Sequence, residues 1–227
     1  MSLKLTNRLQ AAADFVRSGR KTADVGTDHG YLPAFLVLEG ITDCAIAADI
    51  GIGPLENAKK TVEKYGLTDN IQLILSDGLE KIPHDTEEIV IAGMGGTLIA
   101  EILGNADWIK NKNNHLILQP MTHSQDVREF LCQNGFYIEN EKTTEDSGKA
   151  YIVISAFYDG DRKLKDGFYY YFGDKIKPES DTDKSYIQRQ YSYLKSRYQG
   201  LLHAGEDDKA DEFREILLKA ESERNAI

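Results

Sequence analysis

The chain contains 227 residues, of which 41% are hydrophobic and 28% are charged, an ordinary composition for one globular domain with an appendage or for two small domains. No window approaches the ~18 apolar residues of a membrane-spanning helix, and the N-terminal sequence MSLKLTNRLQ lacks the apolar segment of a secretory signal. The formal net charge of −10 argues against a polyanionic partner.

The charge is unevenly distributed, because basic side chains concentrate in residues 1–21 and in residues 184–199. The first segment contains a single acid, Asp14, and the second contains none. The chain is therefore acidic overall with two basic islands. Their basic residues are Lys4, Arg8, Arg17, Arg20 and Lys21 in the first island and Lys184, Arg189, Lys195 and Arg197 in the second.

Between residues 22 and 158, short apolar runs alternate with segments of helical periodicity. Strands separated by helices of this length predict βαβ units, in which helices cover both faces of a parallel sheet. The strand-like runs are 22–26, 44–49, 71–75, 88–93 and 115–120, and the helix-like runs are 31–39, 53–65, 96–104 and 124–134.

The pattern changes after residue 135. Residues 136–139 and 150–158 are strand-like, and the polar residues 140–149 between them leave no room for a helix. These two strands are therefore expected to pair antiparallel. A parallel sheet that ends in an antiparallel hairpin is uncommon among nicotinamide-dependent folds and is typical of the class I methyltransferase architecture, a Rossmann-like, doubly wound α/β fold.

The tail has a different character. A polar linker is expected from 159 to 183, interrupted by the aromatic cluster 168–172, and two helices around the polar turn 205–208 are expected to form an antiparallel coiled-coil hairpin. The predicted domains are thus 1–158 and 159–227. Apolar residues recur at alternating spacings of four and three: Ile187, Tyr191, Leu194, Tyr198 and Leu201, and then Phe213, Leu217 and Ala220.

The ends of the predicted strands are the places to look for a ligand, because open parallel sheets bind ligands beyond the carboxyl ends of their strands. The first strand ends in VGTDHGYLP, where Gly26 and Gly30 bracket Asp28 and His29. Glycine lets the backbone approach a ligand, and the following helix offers unpaired N–H groups. The alternative is a tight strand–helix connection, and GxGxxG is absent.

Acids follow the next two strands. Asp49 can accept hydrogen bonds from ribose hydroxyls, and Asp77 can accept one from an adenine amino group. For both, the alternative is a helix N-cap or an Asx turn. The fourth strand ends in the glycine-rich segment 93–96, which leaves space for a flat group beside a cofactor.

These strand ends together resemble a known family. DVGTDHGYLP, AADI followed by GPLENAKK, LILSDGL, IAGMGGTLI and LILQP, in this order, resemble the bacterial tRNA (adenine-22-N1)-methyltransferases, closely over residues 3–158. The helical tail matches in kind, since that family has a C-terminal coiled-coil domain. The resemblance implies S-adenosylmethionine as cofactor, tRNA as partner, and no metal or membrane; the oligomeric state is not implied, and a monomer is compatible with it.

The resemblance also implies residue roles. Asp49 and Asp77 hold the ribose and adenine of the cofactor, the turn 26–31 lies under its methionine part, and the loop 93–96 faces the target adenine. The cofactor-binding residues are therefore expected to be Asp24, Gly26, Thr27, Asp28, Tyr31, Asp49, Ile50, Asp77, Gly78 and Gly93, and the catalytic residues Asp28, His29, Gly93 and Met94.

Asp28 and His29 are candidates for a specific chemical task. Adenine N1 is a neutral lone pair, and its attack on a sulfonium methyl group gives a cationic base. The reaction needs alignment and a group that tolerates or removes positive charge. The alternative is that Asp28 binds the methionine ammonium group and His29 caps a helix.

The tail offers candidates for RNA contact. Basic groups bind phosphates and tyrosine rings stack on unpaired bases. Tyr191 and Tyr198 lie on the apolar seam and are expected in the core, whereas Tyr186 and Tyr193 flank it and are the better RNA candidates. His115 and His123 have no assigned role.

The two cysteines, Cys44 and Cys132, are far apart and lack CxxC spacing, which argues against disulfides and zinc and indicates the cytoplasm. Both are expected to be buried small hydrophobic residues. Two other functions remain open, namely a nicotinamide-dependent oxidoreductase that uses Asp49 for ribose and a non-catalytic cofactor-sensing or RNA-binding scaffold on the same fold.

Overall fold

A computed structural model describes residues 3–225, so the outermost residues of both predicted domains, 1–2 and 226–227, lie outside the described residues. The strands are β1 (Thr22–Val25), β2 (Ala45–Asp49), β3 (Ile71–Leu75), β4 (Glu88–Gly95), β5 (His115–Thr122), β6 (Phe136–Asp146) and β7 (Lys149–Tyr158). The α-helices are α1 (Asn7–Ala13), α2 (Tyr31–Leu38), α3 (Ile52–Lys64), α4 (Gly96–Gly104), α5 (Ser124–Gln133), α6 (Gly167–Phe172), α7 (Asp181–His203) and α8 (Asp207–Asn225).

The seven strands form one sheet in the order β3-β2-β1-β4-β5-β7-β6. Strands β1 to β5 are parallel, and β7 pairs antiparallel with both β5 and β6. The predicted parallel sheet with a terminal antiparallel hairpin is therefore confirmed. The chain winds outward from β1 on one side and from β4 on the other, so the topological switch point lies between these two strands.

Both faces of the sheet are buried, as expected for parallel strands with continuous apolar runs. On one face, alternate residues of the central strands, such as Ile89 and Ile91, pack with Ile99 of α4 and Val127 of α5. On the other face, the intervening residues pack against α1, α2 and α3. Helix α1 was not predicted; it begins after the N-cap Thr6 and buries the alanines 11–13.

The hairpin is longer than the sequence indicated. Residues 140–146, predicted as part of the connection, continue β6, and only Ser147 and Gly148 form the turn, with φ of 53° and 72°. Two successive positive φ values match the twist of a tight hairpin. The periodicity did not indicate a strand here, because many residues of β6 are polar. The partners that bury these residues come from other elements, as Arg128 of α5 does for Glu141.

The tail forms the predicted helical hairpin. Helices α7 and α8 are joined by the short turn 204–206 and pack through Leu194 of α7 and Leu217 and Ala220 of α8. The predicted apolar seam is confirmed, since Ile187, Tyr191, Tyr198 and Phe213 pack on this cluster. The predicted linker is partly helical, because Asp166 caps α6 and Phe172 is buried.

The tail is fixed to the α/β core by a buried polar network. Arg128 of α5 is fully buried; its Nε donates to Glu141 at 2.6 Å, its Nη1 donates to the carbonyl oxygens of Tyr170 and Tyr171, and its Nη2 donates to the Tyr186 hydroxyl. Tyr186 is only 2% exposed. The prediction that Tyr186 stacks on RNA is therefore wrong, because the core covers that side of α7.

The two cysteines differ from each other. Cys132 is buried in α5, as predicted. Cys44 is exposed and precedes β2, so the prediction of a buried Cys44 is wrong. Strand β2 begins at Ala45, one residue later than the apolar run. Cys44 therefore precedes the strand, and its side chain lies outside the layer that the helices cover.

Candidate active site

The predicted strand-end residues meet along the carboxyl edge of the sheet. Val25, at the end of β1, is in register with Ala48 of β2 on one side and with Ile91 of β4 on the other. The loops that follow β1, β2 and β4 therefore leave the sheet side by side at the switch point, where open α/β sheets bind their ligands.

The turn after β1 is shaped by its glycines. The N–H groups of Gly26 and Thr27 both donate to the Ala48 carbonyl oxygen, and the Gly30 N–H donates to Thr27 Oγ1 at 3.2 Å. Gly26 and Gly30 have φ of 84° and 65°. A Cβ on Gly30 would lie 3.1 Å from the Cβ of Ala58 on α3, so glycine is required for both its conformation and this packing.

Asp24 is enclosed directly beneath this turn, with 6% of its surface exposed. Burial raises the pKa of its carboxyl group to about 6, a hydrogen bond with Thr27 opposes this, and the nearby carboxylate of Asp49 reinforces it. Asp24 and Asp49 therefore form an acidic pair at the ends of adjacent strands. A cationic group bound there would favour the ionised form of Asp24.

Asp28 and His29 lie at the outer side of the turn. Their side chains are largely exposed, and His29 Nε2 lies 3.2 Å from Asp28 Oδ2. The His29 ring also stacks on Tyr31, with 5.2 Å between ring centroids. The structure thus brings these three predicted site residues together as a surface cluster whose polar groups face solvent.

The end of β2 combines an acid with an exposed apolar side chain. Asp49 Oδ1 accepts a 2.7 Å hydrogen bond from the Gly51 N–H, which fixes the carboxylate orientation at the start of α3. This is the local bond expected of an Asx turn. Ile50 is 68% exposed although it follows a buried strand, so it offers an apolar surface beside the carboxylate.

Asp77 and Gly78, after the edge strand β3, lie at the other side of the site. They border a cavity of about 230 Å³ whose opposite wall is formed by Leu98 and Ile102 of α4. A Cβ on Gly78 would come within 2.9 Å of Ile102, so the loop approaches α4 as closely as a glycine allows.

The loop after β4 contacts the turn after β1. The terminal methyl of Met94 occupies the space above Gly26 where a side chain would otherwise lie. Gly93 has φ of 82°, and its N–H donates to Gln119 Oε1 at 3.1 Å. The structure therefore packs the Met94 side chain against Gly26, so the loop 93–96 and the turn 26–31 are in contact.

Two further residues, Gln119 and Arg8, lie beside this loop and were not predicted from the sequence. Gln119, fully buried at the end of β5, also accepts a 2.9 Å hydrogen bond from Arg8 Nη1, and Arg8 Nε pairs with Asp146 at the hairpin turn. Gln119 thereby holds the Gly93 backbone, and Arg8 connects it to the hairpin. A polar residue within the apolar run of β5 was the signal for Gln119; Arg8 had no local signal, because its partners are distant in sequence.

Two other features lie away from this edge. His115 is buried at the start of β5, with Nδ1 2.7 Å from Glu88 and Nε2 2.8 Å from Ser155, so it joins three strands at the amino edge. A larger cleft of about 830 Å³ lies between α6, α7 and α8 and is lined by none of the predicted site residues. Cavity size alone therefore does not locate the site.

The two basic islands differ in the structure. In the first, four of the cations pair with acids, as Arg17 does with Glu88. In the second, Arg189 donates to the carbonyl oxygens of Ala150 and Met121, whereas, in the part of the chain that the structure describes, Lys184, Lys195 and Arg197 form no ion pair. Of the described cations in these two islands, the second island therefore keeps a group of three without an ion pair.

Among residues 3–225, no cluster of three or more His, Cys, Asp or Glu side chains is arranged to hold a metal ion. No helix within the same range is long and apolar enough to cross a membrane.

The chain is similar to known methyltransferases. A family model described as a methyltransferase domain matches residues 5–154. The tRNA (adenine(22)-N(1))-methyltransferase of Bacillus subtilis (strain 168) is 37% identical over 226 residues, which span 98% of this chain and 90% of that protein.

Solved structures are similar over nearly the whole chain. The putative tRNA (m1A22) methyltransferase of Streptococcus pneumoniae, in complex with S-adenosyl-L-methionine, is 35% identical with a TM-score of 0.80, covering 94% of this chain and 100% of that chain. M. capricolum TrmK, in complex with the cofactor product S-adenosyl-homocysteine, is 27% identical with a TM-score of 0.77, covering 94% of this chain and 97% of that chain.

Proposed function

This chain belongs to the methyltransferase family that includes the Bacillus subtilis tRNA (adenine(22)-N(1))-methyltransferase, and we propose that it methylates N1 of an adenine in tRNA, at position 22, using S-adenosylmethionine. The observation that carries this proposal is the meeting of the strand-end residues at the switch point, in a chain similar to that enzyme along nearly its full length. The reaction belongs to the cytoplasm, where tRNA is modified.

The residues at the strand ends fit this cofactor. The Asp49 carboxylate has one oxygen fixed by Gly51 and a second oxygen for ribose hydroxyls. The exposed Ile50 and the cavity beside Asp77 suit a flat adenine ring, and the acidic Asp24 beneath the glycine turn suits the cationic amino-acid end. Bound S-adenosylmethionine supplies an electrophilic methyl group on a sulfonium.

The remaining residues orient the target base and manage its charge. The lone pair of adenine N1 forms the new N–C bond as the C–S bond breaks, so the base becomes cationic. We assign the loop 93–96, held by Gln119, to the floor of the target site. We assign Asp28 to stabilising the developing positive charge, with the His29 ring nitrogen 3.2 Å from its carboxylate.

We further propose a division of labour along the chain. Residues 1–158 bind the cofactor and carry the reaction, and residues 159–227 supply the positive surface that grips tRNA. Lys184, Lys195 and Arg197, which form no ion pair among the described residues, support this division. They offer positive charge to tRNA phosphates, whereas the core is acidic overall.

The proposal is tested by incubating the full chain with S-adenosylmethionine and an unmodified tRNA transcript and measuring 1-methyladenosine by mass spectrometry of the nucleosides. The expected result is one 1-methyladenosine per tRNA, absent when guanine replaces adenine 22. Cofactor binding without methylation of any tRNA would support the scaffold function instead. Thermal stabilisation by NAD and not by S-adenosylmethionine would support the oxidoreductase.

A further inference from the structure

A third cavity, of about 120 Å³, lies where helix α7 meets the α/β core. Its walls come from the end of β5, the start of α5, the start of β7 and the first half of α7. It is smaller than the ~300–1,000 Å³ clefts that take drug-sized ligands, so its size suits one planar ring system.

This cavity adjoins the loop that we assign to the target adenine. Thr122, in its wall, is in register with Gly95 of that loop. A Cβ on Gly96 would collide with the carbonyl oxygen of His123, another wall residue. A nucleotide next to a target base seated on this loop would therefore meet the cavity.

Two rings face each other across the boundary between tail and core. His123, from the core, is exposed and approaches Tyr193 of α7 edge to face, with 6.1 Å between ring centroids. His123 also has φ of 53°, a left-handed conformation that glycine adopts without strain and most other residues adopt only at a cost. Its side chain makes no capping hydrogen bond to α5, so helix capping does not account for a histidine here.

Tyr193 is half-buried, and within the tail its ring lies 6.2 Å from the Tyr171 ring of α6, centroid to centroid. It belongs to none of the apolar clusters, unlike Tyr191 and Tyr198 on the same helix. Within residues 3–225, its hydroxyl has no hydrogen-bond partner. An aromatic ring that neither packs in a core nor satisfies its polar group at a junction is suited to contact a ligand.

One wall residue of the cavity, Arg189, carries a positive charge, and Arg8, which pairs with Asp146 and is not a wall residue, approaches the same aromatic ring, that of the wall residue Tyr151. The guanidinium carbons of Arg8 and Arg189 lie 5.6 Å and 5.3 Å from the centroid of the Tyr151 ring. Arg189 is held in place because it donates to the carbonyl oxygens of Met121 and Ala150, at 2.8 Å and 2.6 Å. Fixed cations beside aromatic rings are the combination with which proteins bind single-stranded nucleic acid.

We propose that this cavity binds the nucleobase of the tRNA nucleotide next to the target adenine. The base stacks on Tyr193 and His123, and Arg189 faces its electron-rich edge or its phosphate. The tail therefore contributes directly to the substrate site and does more than attract tRNA electrostatically. This inference rests on the proposed tRNA methyltransferase function.

The test compares Tyr193→Ala and Tyr193→Leu with the wild type in methylation of tRNA at saturating S-adenosylmethionine. Loss of a stacked base is expected to raise KM for tRNA by about 5- to 150-fold in both variants, whereas Tyr193→Phe retains the ring and stays near wild type. Tyr137→Ala is the matched control, because Tyr137 is an exposed tyrosine on β6 near the amino edge of the sheet. Cofactor affinity, measured by calorimetry, should be unchanged in all variants.

A spectroscopic measurement separates stacking from packing. A tRNA with 2-aminopurine next to the target adenine should lose fluorescence on binding the wild type and the Phe variant, and not on binding Tyr193→Ala or Tyr193→Leu. If Tyr193→Leu behaves like the wild type in both measurements, Tyr193 only packs and the inference is overturned. If the wild type methylates no tRNA, the proposed function fails instead.

Discussion

The ionisation of Asp24 is coupled to folding, because its carboxyl group is buried. Its pKa is about 6 in the folded chain and near 3.8 when unfolded, so the fold disfavours the charged form. Its contribution to the free energy of unfolding is therefore largest below pH 3.8 and is lost as the pH rises to about 6. A cationic ligand reverses this preference, because it favours the ionised carboxylate.

We therefore expect S-adenosylmethionine to bind more weakly as the pH falls below 6, by up to about tenfold per pH unit, since Asp24 must lose its proton on binding. Calorimetric titrations from pH 5.0 to 7.5 measure this. Asp24→Asn should bind more weakly at pH 7.5 and show a flat profile. An unchanged pH profile in Asp24→Asn would show that Asp24 is not the titrating group.

A substitution at Asp28 tests whether this residue acts in catalysis or only in cofactor binding. Asp28→Asn keeps the shape of the side chain and removes its charge, so a catalytic carboxylate should lose on the order of 10²-fold in kcat at saturating cofactor and tRNA. If Asp28 only holds the methionine ammonium group, the Kd for the cofactor should rise while saturated turnover survives. Single-turnover methylation alongside calorimetry separates these outcomes.

One of the contacts that attach the tail to the core is a buried guanidinium, Arg128, which also forms an ion pair with Glu141 within the core. Burial alone would lower the pKa of Arg128, but Glu141 and the Tyr186 hydroxyl raise it, so the guanidinium stays charged. The pair joins α5 to β6, and the same guanidinium reaches α6 and α7. The orientation of the tail is therefore set from within the core.

We expect Arg128→Met to lower the free energy of unfolding by about 3–5 kcal/mol, because Glu141 would remain buried without its partner. The double variant Arg128→Met/Glu141→Met should recover part of this loss. Urea denaturation measures both, and limited proteolysis between residues 159 and 180 should accelerate in the single variant. Equal destabilisation of the single and double variants would contradict the role of the ion pair.

The whole molecule combines an acidic net charge with a local basic surface. Arg197 lies one helical turn beyond Tyr193 on α7, on the same face as Arg189. It extends the positive charge of this helix face away from the loop 93–96. Lys112 is an exposed cation that precedes β5 at the amino edge, remote from the site. The two positions separate the effect of local charge from that of net charge.

Reversing either charge, in Arg197→Glu or Lys112→Glu, changes the net charge equally, from −10 to −12. We expect only Arg197→Glu to weaken tRNA binding, by about tenfold, and to reduce the slope of log K against log salt by about one. Filter binding at several salt concentrations measures both quantities. Equal weakening by the two variants would mean that net charge, and not the tail surface, governs binding.

The sequence by itself determined the sheet, the helical hairpin and the set of strand-end residues that lie at one edge of the sheet. Strand periodicity places Asp49, Asp77 and the loop 93–96 at one edge, because parallel strands end together wherever βαβ units connect them. Glycines that permit positive φ mark where the backbone turns. These are local signals, and the fold adds little that changes them.

Only the tertiary structure decided which residues lie around the loop 93–96 and the cavity beside it. Arg8, Gln119, His123 and Arg189 come from four separate elements, and their contacts follow from how α1 and α7 dock on the sheet. Tyr186 and Tyr193 look alike in the sequence and both border the same cavity, yet the core buries Tyr186 and leaves Tyr193 half-buried. Periodicity shows that a helix has faces, but the partner that covers each face is fixed by long-range packing.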